Sequence, residues 1–171
     1  MSKFLKKVIA LIIVVVSIIS FTGCGMQTAT VPEDNKTKIS KFKSSDGIEG
    51  ICKALLKKEY IPDDCVKTKA ELIGAKEGYR IDNVSVNGSK FSMEIYQYDD
   101  INSETAKGVV DSVKDNGSFD LFGRTVSYCY MSKNDKYLLI YPDEKSTTGK
   151  ADDEDNAKRK DEVLKIVNSA K

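Results

Sequence analysis

The feature that most constrains the fold is a β-hairpin pattern centred on Asn87-Gly88. Apolar and polar residues alternate on both sides of this dipeptide, from Val84 to Val86 and from Phe91 to Ile95. Asn-Gly suits a type I′ turn, because both residues tolerate the left-handed backbone that this turn requires. The pattern therefore predicts two adjacent antiparallel strands, and the fold of this chain must include a sheet that contains them.

The second strand of this hairpin has two chemically different faces, because successive side chains of a strand point to opposite sides. One face is apolar and is expected to pack on helices; it consists of Phe91, Met93 and Ile95. The opposite face consists of Ser92, Glu94, Tyr96 and Tyr98. Exposed tyrosines bind sugars and peptides well, since each ring combines area, rigidity and a hydroxyl. Tyr96 and Tyr98 are therefore a candidate binding surface, with ordinary cross-strand aromatic packing as the alternative.

Three amphipathic stretches predict helices around the sheet. The first begins after Asp46, a candidate cap, and repeats apolar residues from Ile48 to Leu56. The second covers residues 103–115, between Ser103 as cap and a stop at Asn116-Gly117. The third is at the end of the chain, with its buried contacts within residues 163–170.

A second pair of strands is predicted over residues 118–131 and 136–142, with Gly123 marking a break in the first of them. The resulting order is α-β-β-α-β-β-α. We therefore expect residues 45–171 to form a single α+β domain of two layers, an antiparallel four-stranded sheet with helices on one face.

Residues 1–23 have the organisation of a secretory signal. Lys3, Lys6 and Lys7 precede residues 8–21, VIALIIVVVSIISF, in which only two serines are polar. A helix of this length is about 21 Å long, shorter than the ~30 Å hydrocarbon core of a bilayer. The segment is therefore too short for a comfortable permanent span and is typical of the apolar part of a signal peptide.

The leader ends in Phe21-Thr22-Gly23-Cys24, which resembles the lipobox of bacterial lipoproteins. That family has a bulky apolar residue, a small residue and Gly or Ala before the cysteine, and Phe21 replaces its usual leucine. The resemblance implies that residues 1–23 are removed and that Cys24 receives a diacylglyceryl group. This lipid anchor has two long chains, which are enough to retain a protein stably at a membrane. An uncleaved anchor with an incidental Cys24 is the alternative, and both place the domain outside the cytoplasm.

Two further segments carry a resemblance within the domain. LIGAKEGYRID at residues 72–82 and KFSMEIYQYDD at residues 90–100 resemble small uncharacterised lipoproteins of clostridia and their relatives. Lysine outnumbers arginine 24 to 3, which is typical of low-GC Gram-positive bacteria. The resemblance implies a location at the cell membrane, on its extracytoplasmic face, and a fold class. It assigns no activity.

Residues 24–44 are expected to be the lipidated cysteine and a flexible tether. From Gly25 onward this segment is polar, contains Pro32 and shows no sustained apolar period. Such a composition buries too little apolar surface to offset the entropy of ordering. The tether would hold the domain at the membrane surface.

Composition excludes several functional classes. The chain contains no histidine, which removes every triad, zinc site and proton shuttle that needs an imidazole. Without the three leader lysines, 24 basic residues face 26 acidic ones, so no nucleic-acid partner is expected. The acidic residues 152–155 do not match the spacing of a calcium-binding loop. We predict no cofactor, no metal site and no catalytic residue.

The three cysteines after Cys24 allow one disulfide. Cys52 and Cys65 would close a short loop, which stabilises a fold by about 3 kcal/mol in the chain-entropy model. The alternative is that Cys52, Cys65 and Cys129 are all buried free thiols, since Cys52 lies on an apolar helical face and Cys129 in a strand.

The predicted role is a non-catalytic binding or scaffolding module on a membrane lipid anchor. Its partner would be a cell-wall component or an envelope protein. Two alternatives are open: a histidine-free cell-wall hydrolase that uses paired carboxylates such as Asp99 and Asp100, and an accessory or sensor subunit of a membrane complex.

Overall fold

A computed structural model describes residues 36–171, with a six-stranded antiparallel sheet at the centre. The strands in chain order are β1 (Lys36–Lys38), β2 (Asp64–Lys67), β3 (Glu77–Val86), β4 (Ser89–Gln97), β5 (Phe119–Leu121), β6 (Arg124–Val126), β7 (Cys129–Met131) and β8 (Tyr137–Ile140). The order across the sheet is β1-β2-β3-β4-β8-β7, and β5 pairs with β6 separately. The α+β class is confirmed. The predicted number of four strands is wrong, because β1 and β2 extend one edge.

The helices are α1 (Gly47–Lys57), α2 (Glu104–Asn116) and α3 (Ala151–Ser169). Short 3-10 turns occur at Ile39–Lys41, Ala70–Ile73 and Glu144–Thr147. Ser103 caps α2 as predicted, since its side chain accepts a hydrogen bond from the Ala106 amide, and Gly117 ends the helix in a left-handed conformation. None of the helices within residues 36–171 combines the length and apolar character needed to cross a bilayer.

The predicted hairpin is confirmed as β3 and β4. Val86 faces Ser89 across a turn in which Asn87 and Gly88 both have positive φ, 41° and 80°. A β-bulge interrupts the pairing between Ile81 and Val84. Because a bulge adds one residue to a strand, Val84 points to the same side of the sheet as Ile81.

The face of the sheet predicted to be apolar packs on α1 and α3. A single hydrophobic cluster joins the helices to the strands. Its members include, from the helices, Ile51, Leu55, Val163 and Val167, and from the sheet, Ile81, Phe91, Met93, Ile95, Tyr137 and Leu139.

The opposite face of the sheet packs on α2, so the predicted two-layer arrangement with helices on one face is wrong. A second hydrophobic cluster contains Val110 of α2 together with Leu138 and Ile140 of β8. β8 is apolar on both faces and is buried along its whole length. A strand of this kind must be covered on both sides, which places helices above and below the sheet.

Residues 36–44 belong to the domain rather than to the predicted tether. β1 pairs with β2, and Ile39 is completely buried. The ring of Phe42 lies 4.9 Å from that of Tyr79. The domain therefore begins at least nine residues before the predicted boundary at residue 45.

The predicted strand over residues 118–131 is three strands in the structure. Phe122 and Gly123 form a two-residue turn between β5 and β6, both with positive φ. The predicted break at Gly123 is therefore confirmed as a turn.

We expect Gly108→Ala to stabilise the domain by about 1 kcal/mol, because glycine in the interior of an exposed helix is unfavourable relative to alanine by that amount. A Cβ at Gly108 meets no atom within 4 Å. Chemical denaturation of both proteins measures the change in the free energy of unfolding. Gly74→Ala is the matched control and should destabilise, since φ is +70° there and the Cβ would lie 2.5 Å from the Ala106 nitrogen. A destabilised Gly108→Ala variant would contradict the structure of α2.

Candidate functional site

The predicted lipidation site, Cys24, and the signal of residues 1–23 lie outside the described residues. Lipidation of Cys24 therefore stays a prediction at this point. The other predicted site residues fall within residues 36–171, and the structure places each of them.

Tyr96 and Tyr98 do not form the predicted exposed surface. They are 8% and 2% exposed, because α2 and its neighbours pack over the face of β4 that carries them. The Tyr96 ring lies over Gly78, and its hydroxyl donates to the Glu94 carboxylate. Burial raises the pKa of both hydroxyls above the usual range. The prediction of an exposed tyrosine pair is therefore wrong, and the alternative of packed aromatic residues describes them.

Cys52 and Cys65 are free thiols in the structure, not the predicted disulfide. Both belong to the core under α1, where each fills space as a small hydrophobe. Burial raises the pKa of the Cys65 thiol to about 11 and that of Cys52 further. Cys129 is buried in the second cluster with its pKa raised to about 12. Thiolates are the reactive form, so burial leaves these thiols unreactive near neutral pH.

Asp99 and Asp100 are not arranged as a catalytic pair. Asp99 is ion-paired with Lys76 at 2.7 Å, and more than half of each side chain is exposed. The Asp100 carboxylate accepts a hydrogen bond of 2.8 Å from the Asn102 amide in the following turn. Asp99 raises the pKa of Lys76 through this contact. Both carboxylates therefore serve local structure at the end of β4.

A row of side chains crosses the sheet on the face that α2 covers in part. The strand register aligns Lys36 with Val66, Val66 with Arg80, Arg80 with Glu94, and Glu94 with Ile140. Residues paired in this way lie on the same face of a sheet. Ile140 is buried against α2, whereas Arg80 and Glu94 are only half-buried and Lys36 is exposed. Along this row the covered part of the face therefore changes to an open part between β8 and β4.

We call this open part the open sheet face; it consists of the outward-facing side chains Lys36, Lys38, Asp64, Val66, Arg80, Asp82, Ser92 and Glu94. Ser92 and Glu94 lie on the strand face predicted to be opposite the apolar one. Arg80 and Asp82 were not among the predicted site residues. Arg80 and Asp82 alternate with the apolar residues Tyr79 and Ile81. This alternation would have extended the predicted first strand of the hairpin toward the amino terminus to include both residues.

The centre of the open sheet face is held by a hydrogen-bonded triad. The Arg80 guanidinium contacts the Asp82 carboxylate at 2.7 Å, and the Ser92 hydroxyl donates to the same carboxylate oxygen at 2.6 Å. Arg80 also donates to the Ser92 hydroxyl at 3.3 Å. The Arg80 and Asp82 side chains are 34% and 30% exposed. Held in place by each other, they present donors and acceptors to solvent in a fixed arrangement.

A cleft of about 470 Å³, lined by both acidic and basic side chains, lies at the amino end of α1. Its Gln97 side chain, from the end of β4, accepts a 3.0 Å hydrogen bond from the Ile48 amide and thereby caps the helix. Glu49 accepts from the Ser44 amide at 2.9 Å, and Glu77 accepts from the Tyr79 hydroxyl at 3.0 Å. These contacts assign Glu49 and Glu77 to the local structure around the amino end of α1.

A smaller cleft of about 290 Å³ lies between the end of α1 and α3. The Arg159 guanidinium is 4.6 Å from the centre of the Tyr60 ring and donates to the Glu59 and Tyr60 carbonyls at 3.2 and 2.7 Å. These contacts close the end of α1 against α3. They assign Arg159 a role in packing.

Within the range that the structure describes, no group of three or more Cys, Asp or Glu side chains is placed to hold a metal ion. Comparison of the chain with protein-family models, with curated proteins and with solved structures finds no match.

We expect the Cys24→Ser protein, prepared without reductant, to contain three free thiols that react only after unfolding. The chain has four cysteines, so this variant retains Cys52, Cys65 and Cys129. Titration with an aromatic disulfide reagent, with and without denaturant, gives both numbers. A single reactive thiol after unfolding would contradict the structure and restore the Cys52–Cys65 disulfide.

Proposed function

We propose that this chain is a lipid-anchored lipoprotein on the extracytoplasmic face of the cell membrane, and that its α+β domain binds or scaffolds a partner. The observation that carries the proposal is the order of elements in residues 1–24: lysines, a short apolar segment, small residues and Cys24. Two long acyl chains hold a protein stably at a bilayer, whereas one chain holds it only marginally. The domain then acts at the membrane surface.

The open sheet face is the binding surface of this proposal. Three cations, Lys36, Lys38 and Arg80, are interspersed with three carboxylates, Asp64, Asp82 and Glu94. A surface of this kind has no excess of either charge, so it attracts neither nucleic acid nor a strongly charged polymer. It offers alternating donors and acceptors, which suit a peptide segment of an envelope protein or a cell-wall component.

The hydrolase alternative gains no support from Asp99 and Asp100. A pair of catalytic carboxylates is separated by about 5–9 Å across the scissile bond. Asp99 instead binds Lys76, and Asp100 binds the Asn102 amide. Neither residue lines the cleft at α1 or the cleft at Arg159.

We expect Cys24→Ser to abolish lipid attachment and to release the protein from membranes. The cysteine sulfur is the acceptor of the diacylglyceryl group in the proposed maturation, and serine lacks it. Intact mass and partition between membrane and soluble fractions measure the two effects. Thr28→Ser, a change of similar size outside Phe21–Cys24, is the matched control and should remain membrane-bound. Equal retention and equal mass increments in both variants would overturn the anchor.

We expect a photoreactive residue at Val66 to give discrete adducts in intact cells, because Val66 lies in the middle of the open sheet face. The same residue at Asp115, on the exposed side of α2, is the positional control. Arg80→Glu should abolish the Val66 adducts, while Lys107→Glu, an equal charge reversal on α2, should leave them. Adducts that are identical at both positions, or insensitive to Arg80→Glu, would remove the open sheet face as the binding surface.

A further inference from the structure

The turn between β5 and β6 carries an aromatic side chain in an unfavourable place. Phe122 is 65% exposed and has a φ of 50°, and Gly123 follows with a φ of 75°. Two-residue turns of this kind favour Asn-Gly, which the same chain uses at Asn87-Gly88. A phenylalanine with left-handed backbone is strained, and its exposed ring leaves much of its apolar area in water. Stability of the fold therefore does not explain Phe122.

The residues around Phe122 form a small amphipathic tip. Leu121 and Arg124 face each other directly before and after the turn, and they are half-buried and exposed respectively. One step further back, the Asp120 carboxylate accepts a hydrogen bond of 2.7 Å from the Thr125 hydroxyl. Leu121 packs against the cluster under α2, so the tip presents the Phe122 ring and the Arg124 guanidinium to solvent, with the nearest acid engaged by its neighbour. We call residues 121–124 the hairpin tip.

This combination matches the interfacial region of a bilayer. Interfacial segments bury phenylalanine at the boundary between headgroups and acyl chains, where arginine keeps its charge near lipid phosphate while its stem contacts apolar surface. The opposite end of the hairpin is fixed, because Phe119 is buried in the cluster under α2 and Val126 packs against that cluster. The hairpin can therefore present its tip away from the domain on a firm base.

We propose that the hairpin tip inserts Phe122 into the interface of the bilayer to which Cys24 is anchored. This inference rests on the lipid anchor of the proposed function. A single phenylalanine binds a membrane weakly by itself, but a tether makes the contact intramolecular and raises the effective concentration of the bilayer. With the protein anchored at Cys24, one aromatic side chain is therefore sufficient to bind the membrane.

The chain between the anchor and the domain is long enough for this contact. The twelve peptide steps from Cys24 to Lys36 span at most about 40 Å. The chain enters the domain at β1, and the hairpin adjoins β7 at the other edge of six strands, a width of about 24 Å. Both the anchor and the hairpin tip can therefore reach one membrane surface.

The absence of tryptophan from the chain gives a direct test. Phe122→Trp places the sole tryptophan at the hairpin tip of the mature lipidated protein, reconstituted into phosphatidylcholine–phosphatidylglycerol vesicles. We expect a blue-shifted emission and about a twofold loss of intensity when the vesicles contain lipids brominated near the headgroup end of their chains.

Leu72→Trp is the matched control, since Leu72 is also an exposed large apolar residue, at 44%. Gly74, two residues on, approaches Ala106 near the start of α2, whereas the hairpin follows the last turn. The helix between Ala106 and Asn116 is about 15 Å long and separates the two sites. The tryptophan of the Leu72→Trp variant should emit as in water and resist the brominated lipids. Equal quenching in both variants would overturn specific insertion of the tip.

Flotation of the same vesicles separates the two proposals. A protein that does not float with lipid lacks the anchor, and the proposed function fails. A Phe122→Trp protein that floats with the vesicles while its tryptophan stays unquenched retains its anchor, and this result overturns insertion of the tip. In that case, adducts from a photoreactive residue at position 122 would indicate that a protein occupies the tip. Hydrogen exchange gives a second measurement without tryptophan: vesicles should slow exchange at residues 121–124 in the native protein and not in Phe122→Asn.

Discussion

The pairing of β4 with β8 determines the architecture of this domain, because both strands have buried side chains on their two faces where they pair. Ile95 and Leu139 face α1 and α3, while Tyr96 and Leu138, the next pair, face α2. An apolar strand pair cannot leave either side in water, so helices must lie above and below it. Toward β1 the outward side chains become polar and charged, and the sheet needs no cover there. The open sheet face therefore begins where the outward-facing side chains of the sheet change from apolar to polar.

The β3–β4 hairpin is also held at its turn by polar contacts to the C-terminal part of the chain. The Ser89 hydroxyl donates to the Asp143 carboxylate at 2.6 Å, and Asp143 is only 1% exposed. The Asn87 side-chain amide donates to Asp155 of α3 at 3.1 Å. A buried carboxylate that lost such a partner would destabilise the fold, so the Ser89 bond holds the turn against the segment after β8, and the Asn87 bond holds it against α3. The strands that carry Arg80 and Ser92 are therefore held at both ends, at the turn and at the Gln97 cap of α1.

Local patterns in the sequence predicted the hairpin, the three helices and a break at Gly123, since each depends on residues near one another in the chain. β1 and β2 were missed because KTK and DCVK are too short and too polar to show alternation, and such short strands owe their structure to the strands beside them. Alternation placed Tyr96 and Tyr98 on the correct face of β4, but their exposure depended on α2, which packs there from a later part of the chain. The same limit applied to Arg80 and Asp82: their face could be predicted, whereas its openness required the whole topology.

Two attachments at opposite edges of the sheet would restrict this domain more than a single anchor. In the proposed anchoring, an attachment at Cys24 alone would not set the orientation of the domain relative to the membrane. A second contact at the hairpin tip, beyond β7, would turn the row of side chains from Lys36 to Ile140 roughly parallel to the membrane, because that row runs from one edge of the sheet toward the other. The open sheet face would then be held within reach of the membrane surface along its whole row. A partner held at the same membrane surface would meet this face at a high effective concentration, which favours a membrane-bound or wall-proximal component over a freely diffusing one.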